Sequence, residues 1–362
     1  MLDELILDDA EPLNEVHPAV TRCFEGRTVM ITGAGGSIGS EIARQVSALG
    51  VERVVVFDQD ENSIFELIHE IGSGDGREIV PVVGNIRDHA TVHRSLALYS
   101  PHIVLHAAAY KHVPVMERNC CEAVLNNVAG TRELADAAIA FGCERLVMIS
   151  TDKAVNPSSV MGATKRAAEL LIQQRAGESK THFACVRFGN VLGSRGSVVP
   201  IFLRQIAAGG PVTVTHEEMT RYFITLSQAV RLVLQAATLA SQGDVYVLDM
   251  GDPVKIIDFA RAIIRQAGFT PGKDIDIKVT GVRPGEKLHD VLWGEDAQVT
   301  ATPFRDVLQV KATAVPDEFP QMLAELESAA RARKSDAVIR ELLCGLPLDY
   351  RPEGAEAASV AI

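Results

Sequence analysis

Val29-Met30-Ile31-Thr32-Gly33-Ala34-Gly35-Gly36-Ser37-Ile38-Gly39 is the stretch that decides the fold. An apolar run leads into a glycine-rich turn, and a helical pattern opens at Ser37 and Ile38. Gly33, Gly35, Gly36 and Gly39 allow a sharp turn and a close approach of the backbone to a pyrophosphate. The helix that follows offers free N–H groups and the positive end of its dipole. A glycine-rich turn alone is equally a tight strand–helix connection. Here a second apolar run ends at Asp58, 19 residues beyond Gly39, where an acidic partner for the adenosine ribose hydroxyls is expected. The combination predicts a dinucleotide site.

Outward from that loop, apolar β-branched runs at 28–32, 53–57, 79–83, 103–106 and 145–150 alternate with helical spacing at 37–50, 62–71, 89–98 and 115–141. Alternation of this kind predicts an α/β fold, a Rossmann-like doubly wound parallel sheet covered on both faces. Past residue 180 the alternation becomes irregular, and helices return at 256–267 and 317–333. The expected organisation is a lead segment at 1–26 and a dinucleotide-binding domain at 27–180. A smaller C-terminal substrate-binding region then covers 181–345, with some elements returning to the sheet, and a flexible tail covers 346–362.

Asp58 also bears on the choice of dinucleotide. A carboxylate accepts from a free 2′-OH and repels a 2′-phosphate, and Gln59, Asp60 and Glu61 bring no arginine, so NAD is favoured over NADP. Asn85 and Ile86 follow the third strand, where an adenine edge could be read; Asp88 either shares that role or caps the next helix. Ala107 and Ala108, after the fourth strand, belong to the same cofactor side.

With 362 residues and 47% hydrophobic composition the chain can bury a large core without disulfides or metals. Its net charge of −12 argues against nucleic acid as a partner. No apolar run approaches the ~20 residues of a membrane span, and the acidic first residues are neither secretory signal nor transit peptide. A soluble, cytoplasmic protein is expected. The six cysteines follow no ligand spacing and read as reduced thiols. His102 and His106 lie too far apart along a strand to share a metal, and His89 with His93 lacks an obvious third ligand, so no metal is expected. Trp293 reads as core packing.

Two polar clusters fall at the ends of the fourth and fifth strands: His106 to His112, and Ser150-Thr151-Asp152-Lys153 followed by Met161-Gly162-Ala163-Thr164-Lys165 on a helix. Met161 and Lys165 share one helical face. Here the sequence resembles the extended short-chain dehydrogenase/reductase superfamily, with its TGxxGxxG loop and Ser/Thr…Tyr-x-x-x-Lys set. It departs at one position, since Met161 stands four before Lys165 and has no proton to exchange. Residues 32–41, 106–114, 150–166, 187–200, 220–225 and 283–288 together resemble the retaining UDP-N-acetylglucosamine 4,6-dehydratases, the polysaccharide-biosynthesis group that carries Met in place of Tyr. Many of its members bear N-terminal membrane helices, so the chain is expected to be a soluble short form or a trimmed one.

The resemblance implies bound NAD and a UDP-sugar substrate. Oxidation at C4 makes the C5 proton acidic, water leaves across C5 and C6, and hydride returns to C6. It makes Asp152 the acid at the C6 oxygen and Lys153 the base at C5, the latter needing a depressed pKa. Thr151 would hydrogen-bond the C4 oxygen and Lys165 would hold the nicotinamide ribose. Water, Asp152 or Lys153 remain open for the C4 hydroxyl proton. Asn190, the 193–199 segment with Gly193, Ser197 and Val198, Arg221, and the 283–287 run would face the UDP, with Arg283 on the diphosphate and Glu286 on the uridine ribose. Lys111 contacts substrate or caps a helix, and the Asn126-Asn127 pair reads as a backbone brace. His289 and Asp290 receive no role. A C4 epimerase and a non-catalytic NAD-binding module are the competing readings, and a homo-oligomer is expected from habits of the superfamily.

Overall fold

The computed structural model describes residues 16–72, 76–312 and 314–352. Six strands, β1 (Thr28–Thr32), β2 (Arg53–Asp58), β3 (Glu78–Val83), β4 (Ile103–His106), β5 (Arg145–Ile149) and β6 (His182–Arg187), lie in one sheet with Gln242–Leu248. Their spatial order is β3-β2-β1-β4-β5-β6-Gln242–Leu248, all parallel, and antiparallel strands Val307–Val310 and Val299–Ala301 complete the sheet. β1 and β4 are buried along their whole length, as two-sided helical cover of β-branched strands requires.

The chain runs outward from β1 to β3 and then crosses back to β4. The gap between β1 and β4 is therefore the switch point, where open α/β sheets bind ligands. Thr32 is level with His106 in the register, so the turns at Gly33 and Ala107 emerge side by side.

Among the described residues three apolar clusters form. The largest surrounds the sheet and takes in Val20 and Phe24 of the first described helix, so residues 18–24 belong to the main core. A second, smaller lobe packs Phe202, Val212, Phe223, Phe259 and Ile275, built from the helices Val198–Ala207 and Ile256–Gln266 and the paired strands Val212–Val214 and Ile277–Val279. The third joins Met161, Leu170 and Val124 to the helices Phe319–Arg331 and Asp336–Gly345, together with Leu346, Leu348 and Tyr350.

Several expectations are corrected. Residues 346–352 are not a flexible tail, because Leu346, Leu348 and Tyr350 are buried; residues 353–362 lie outside the described residues. The helix expected over 115–141 is broken into Val113–Met116, Cys120–Val124, a π-turn Leu125–Ala129 and Gly130–Ala140. The interruption lies at 117–119; residues 120–140 stay helical through the π segment, with 120–128 packed in the third cluster and 134–138 in the first. Trp293 is 37% exposed while its neighbour Leu292 takes the core position.

Candidate active site

The cofactor cleft is built from the turns at the switch point. Gly33 has φ of 70°, and a Cβ there would lie 2.5 Å from the Ala108 amide nitrogen. A Cβ on Gly39 would lie 2.1 Å from the Gly33 carbonyl oxygen. Both glycines are thus required by contact, holding the first helix and the β4 turn against the loop. The helix Ser37–Ser47 carries no side-chain cap, which leaves its first N–H groups for a ligand. Gly33, Gly35, Gly36, Asp58, Asn85, Ile86, Ala107 and Ala108 all line one cleft, whereas Ser37, Ile38 and Gly39 form the first helical turn behind it.

Asp58 accepts from the Gly35 and Asp60 amides at 2.9 and 3.0 Å, and Asp60 accepts from Ser63 Oγ at 2.6 Å. Asn85 bonds Gln59 and the Arg87 amide, so it fixes its own turn. Asp88 caps the helix His89–Tyr99 through the Ala90 amide and Thr91 hydroxyl. Gln59, Asp60 and Glu61 bring no arginine, but Arg195 from another loop lines the same cleft and donates to Ser63 Oγ at 3.1 Å. Arg195 stands 132 positions from Ser63 in sequence, so no spacing around Asp58 announces it.

At the end of β5 the chain enters a single 3-10 turn, Asp152–Ala154. Ser159 then caps the helix Val160–Glu178 through the Gly162 amide at 3.0 Å. Glu169 on that helix accepts from Ser150 Oγ at 2.6 Å and from both arms of Arg187, and Arg166 adds a second cation. Although burial alone would raise the Glu169 pKa, the arginines hold it at about 2. This knot pins the end of β5 to the helix and to β6, and so fixes Thr151, Asp152 and Lys153 relative to Met161 and Lys165.

Lys153 Nζ sits between oxygens of Asp152 at 3.0 Å, Asn190 at 3.2 Å and Asp290 at 3.2 Å. The depressed pKa expected of Lys153 is not found. Burial pushes it down, but the carboxylates of Asp152 and Asp290 more than offset this and raise it. Burial raises the Asp152 pKa, against the pull of Lys153. Asp152 Oδ2 is buried with no hydrogen-bond partner. Thr151 Oγ1 donates to Asp152 Oδ1 at 2.8 Å. Lys165 is buried, donates to the Ile149 carbonyl at 2.6 Å, and has its pKa pushed down by burial to about 8.

On the substrate side, Ser197 Oγ and Glu286 Oε2 are likewise buried without a partner. Three of the expected site residues therefore hold polar oxygens that the protein leaves for something else to satisfy. Arg283 is open, with a side chain 56% exposed, and Lys111 and Gly193 are exposed as well, while Val198 is half-buried. Arg221 differs from expectation. Its Nε faces Asp290 at 3.1 Å, and its other nitrogens donate to the Thr220, Leu288 and Lys287 carbonyls. It braces the 287–290 segment and has little left for a diphosphate.

Asn127 bonds both the amide and carbonyl of Tyr110 and the Thr164 hydroxyl, the brace expected of the Asn126-Asn127 pair. His106 lies buried between Thr32 and Thr131 hydroxyls at 2.7 and 2.9 Å. His89 and His93 do find a third group, Glu133, at 2.6 and 3.1 Å, outside the cleft. Asp290, which received no role, and Arg195, expected only within the 193–199 segment on the UDP side, are the residues whose places sequence reasoning missed. Each is recruited from a distant turn, with no local signal beyond a charge beside a glycine-rich or proline-containing loop.

An open parallel sheet with a glycine-rich loop at its switch point, and an Asp-Lys pair beside a helix bearing Lys165, define an extended short-chain dehydrogenase/reductase. Residues 29–312 match the family described as polysaccharide biosynthesis protein, and the chain belongs to that family. It is 46% identical over 319 residues to the "Probable polysaccharide biosynthesis protein EpsC" of Bacillus subtilis, covering 88% of this chain and 53% of that one. The chain thus spans about half the length of that curated relative. It is 34% identical over 278 residues to a "UDP-N-acetylglucosamine 4,6-dehydratase (inverting)" of Campylobacter jejuni, covering 75% of this chain and 79% of that one. Among solved structures, Pen from Bacillus thuringiensis superimposes with a TM-score of 0.74 at 35% identity, covering 80% of this chain and 89% of that one. Among the described residues no helix is long and apolar enough to cross a membrane.

Proposed function

We propose that the chain is an NAD-dependent nucleotide-sugar 4,6-dehydratase that converts UDP-N-acetylglucosamine to the UDP-linked 2-acetamido-2,6-dideoxy-4-keto hexose with retention at C5. The observation that carries this reading is the Asp152–Lys153 pair, a buried acid and a half-buried base 3.0 Å apart at the end of β5, the strand next to the β4 turn that lines the dinucleotide cleft. An epimerase needs no such pair, because it eliminates nothing. The cleft fits NAD: the Gly33 turn admits a pyrophosphate, and the Asp58 and Asp60 carboxylates suit free ribose hydroxyls. Bound NAD would take up hydride from C4 of the sugar and later return it to C6.

The protein's own share is proton management. Lys153 Nζ has three oxygen acceptors, which is the complement of an ammonium. Passing one proton to Asp152 Oδ1 leaves a neutral amine beside a carboxylic acid, and the burial that raises Asp152 favours that transfer. Lys153 then takes the C5 proton while Asp152 protonates the departing C6 oxygen, so water leaves and the ammonium and carboxylate are restored. Lys153 gives a proton back to C5 on the face from which it came, which yields retention. The proton shed by the C4 hydroxyl passes to solvent during the oxidation, and an equal proton returns from solvent to Lys153 after it has protonated C5, so the sum is the loss of one water. Lys165, Arg283, Ser197 and Glu286 are the groups for the nicotinamide ribose, the diphosphate and the uridine ribose.

The test is incubation with UDP-N-acetylglucosamine, followed by mass spectrometry for the loss of one water and NMR of the product. In deuterated water the product should carry deuterium at C5 in the retained configuration. An unchanged mass after prolonged incubation would sink the dehydratase reading. A product inverted at C5 would replace retention by the outcome named for the Campylobacter relative.

A further inference from the structure

Asp290 is 1% exposed at its side chain and stands 137 positions from Lys153 in sequence, yet its Oδ2 lies 3.2 Å from Lys153 Nζ. The same carboxylate lies 3.1 Å from Arg221 Nε. The segment that carries it is fixed on both sides. Thr220 N donates to the Leu288 carbonyl at 3.1 Å, Thr220 Oγ1 meets His289 Nδ1 at 2.9 Å, Ser158 Oγ donates to the Gly285 carbonyl at 3.0 Å, and Lys287 Nζ donates to the Val155 carbonyl. A carboxylate so held has one place to be.

We propose that Asp290 is a positioning residue for Lys153: with the Asn190 amide oxygen it fixes two N–H bonds of the amine, so that the third position is reserved for Asp152 and then for the sugar's C5 proton. The proposal rests on the dehydratase reading for the identity of that proton, but the contact itself does not. A neutral amine keeps two donors and one lone pair. With Asn190 and Asp290 accepting from the two donors, the lone pair falls on the remaining side, where Asp152 sits at 3.0 Å. Without Asp290 the amine is free to turn about its last bond, and the lone pair loses its aim. Arg221 keeps Asp290 from becoming a second proton acceptor: despite burial, the cations of Lys153 and Arg221 depress its pKa. The charged groups facing Nζ are Asp152, Asp290 and Arg221, with Lys287 farther out beside Asp290.

The test pairs kinetics with a direct view of the lysine. In protein labelled with [ε-13C]lysine, the Lys153 resonance is assigned by its loss in Lys153→Met and titrated in wild type, Asp290→Asn and Asp290→Glu. Removing a carboxylate should move the Lys153 midpoint to lower pH in Asp290→Asn and leave it near wild type in Asp290→Glu. In turnover, Asp290→Asn should lose about tenfold or more in kcat with KM held within about threefold, and Asp290→Glu should regain part of the loss. An unmoved Lys153 midpoint in Asp290→Asn, or a loss confined to KM, overturns the proposal. Should Asp290→Asn fail to fold, Asp290→Glu decides: a lower kcat with an unchanged midpoint supports the aiming role, and wild-type kcat overturns it. A wild type that dehydrates no UDP-sugar defeats the dehydratase reading, while the titration still judges the contact.

Discussion

Arg195 donates from Nη1 to Ser63 Oγ at 3.1 Å, across 132 positions of sequence. Its backbone amide donates to Ser37 Oγ at 2.9 Å, and a Cβ on the next residue, Gly196, would lie 2.7 Å from the His112 ring. One loop therefore bridges the glycine-rich turn, the acidic ribose end and the turn after β4. A dinucleotide in the cleft would be roofed by it.

Arg195→Ala should loosen the cofactor and leave the chemistry largely alone. A hydrogen bond to a charged group contributes about 1.5–3 kcal/mol, so NAD affinity should fall about tenfold or more. The check is NAD released per chain by denaturation after gel filtration, compared with titration calorimetry of stripped protein. Equal retention by wild type and variant would show that the roof holds nothing.

Lys153→Met and Asp152→Asn remove the base and the acid in turn. Each should lower kcat by about 10²–10⁴, the usual share of one proton-transfer group. Lys153→Met should also abolish deuterium incorporation at C5, whereas Asp152→Asn, which removes both the acid at C6 and the acceptor of the Lys153 proton, should block loss of water and leave exchange at C5 slowed. Mass spectrometry of the recovered sugar nucleotide separates the two. Full activity in Lys153→Met would remove it as the base.

Glu169→Ala strips the carboxylate from the knot that pins β5, leaving Arg187 and Ser150 buried without their partner. Breaking a buried pair from one side costs about 3–5 kcal/mol. A drop in thermal midpoint should accompany a loss of activity at temperatures where the variant is still folded. A stability equal to wild type would show that the arginines find other partners.

His106 is buried and pushed down to about 3 by desolvation. An unfolded chain takes up a proton on this residue near 6.5, which the folded chain refuses. Stability should therefore fall as pH drops from 6.5 toward 3, through this group. His106→Asn, measured against wild type by thermal melts across that range, should show a shallower slope. Parallel slopes would place the acid sensitivity elsewhere.

The features legible in the sequence are those whose cause is local. Gly33 and Gly39 announce themselves because a tight turn and a close helix contact both demand a missing Cβ, and the residues concerned are six apart. The Asp152–Lys153 pair and Lys165 are legible because a strand end and one helical face bring near neighbours together. What stayed hidden depends on chain crossings. The direction of the Lys153 shift is decided in part by Asp290, which no spacing around residue 153 reveals. Arg221 carries the same lesson: its charge was visible, but the four backbone and carboxylate contacts that occupy it were not. Trp293 shows that size alone does not dictate burial, since it and Val291 are exposed on either side of buried Leu292.

The third apolar cluster has a consequence for the order in which the molecule is made. Arg351 donates its amide to the Pro157 carbonyl at 3.0 Å, Arg340 pairs with Glu117, and Glu117 Oε1 accepts from the Val160 amide at 2.7 Å. The turn that carries Asp152 and Lys153 is thus buttressed by residues about two hundred positions later. During synthesis the glycine-rich turn and strands β1 to β6 emerge well before residues 319–351, which supply the backing for the start of the Met161 helix. A nascent chain would therefore have its dinucleotide loop made before the turn that carries Asp152 and Lys153 is fully supported.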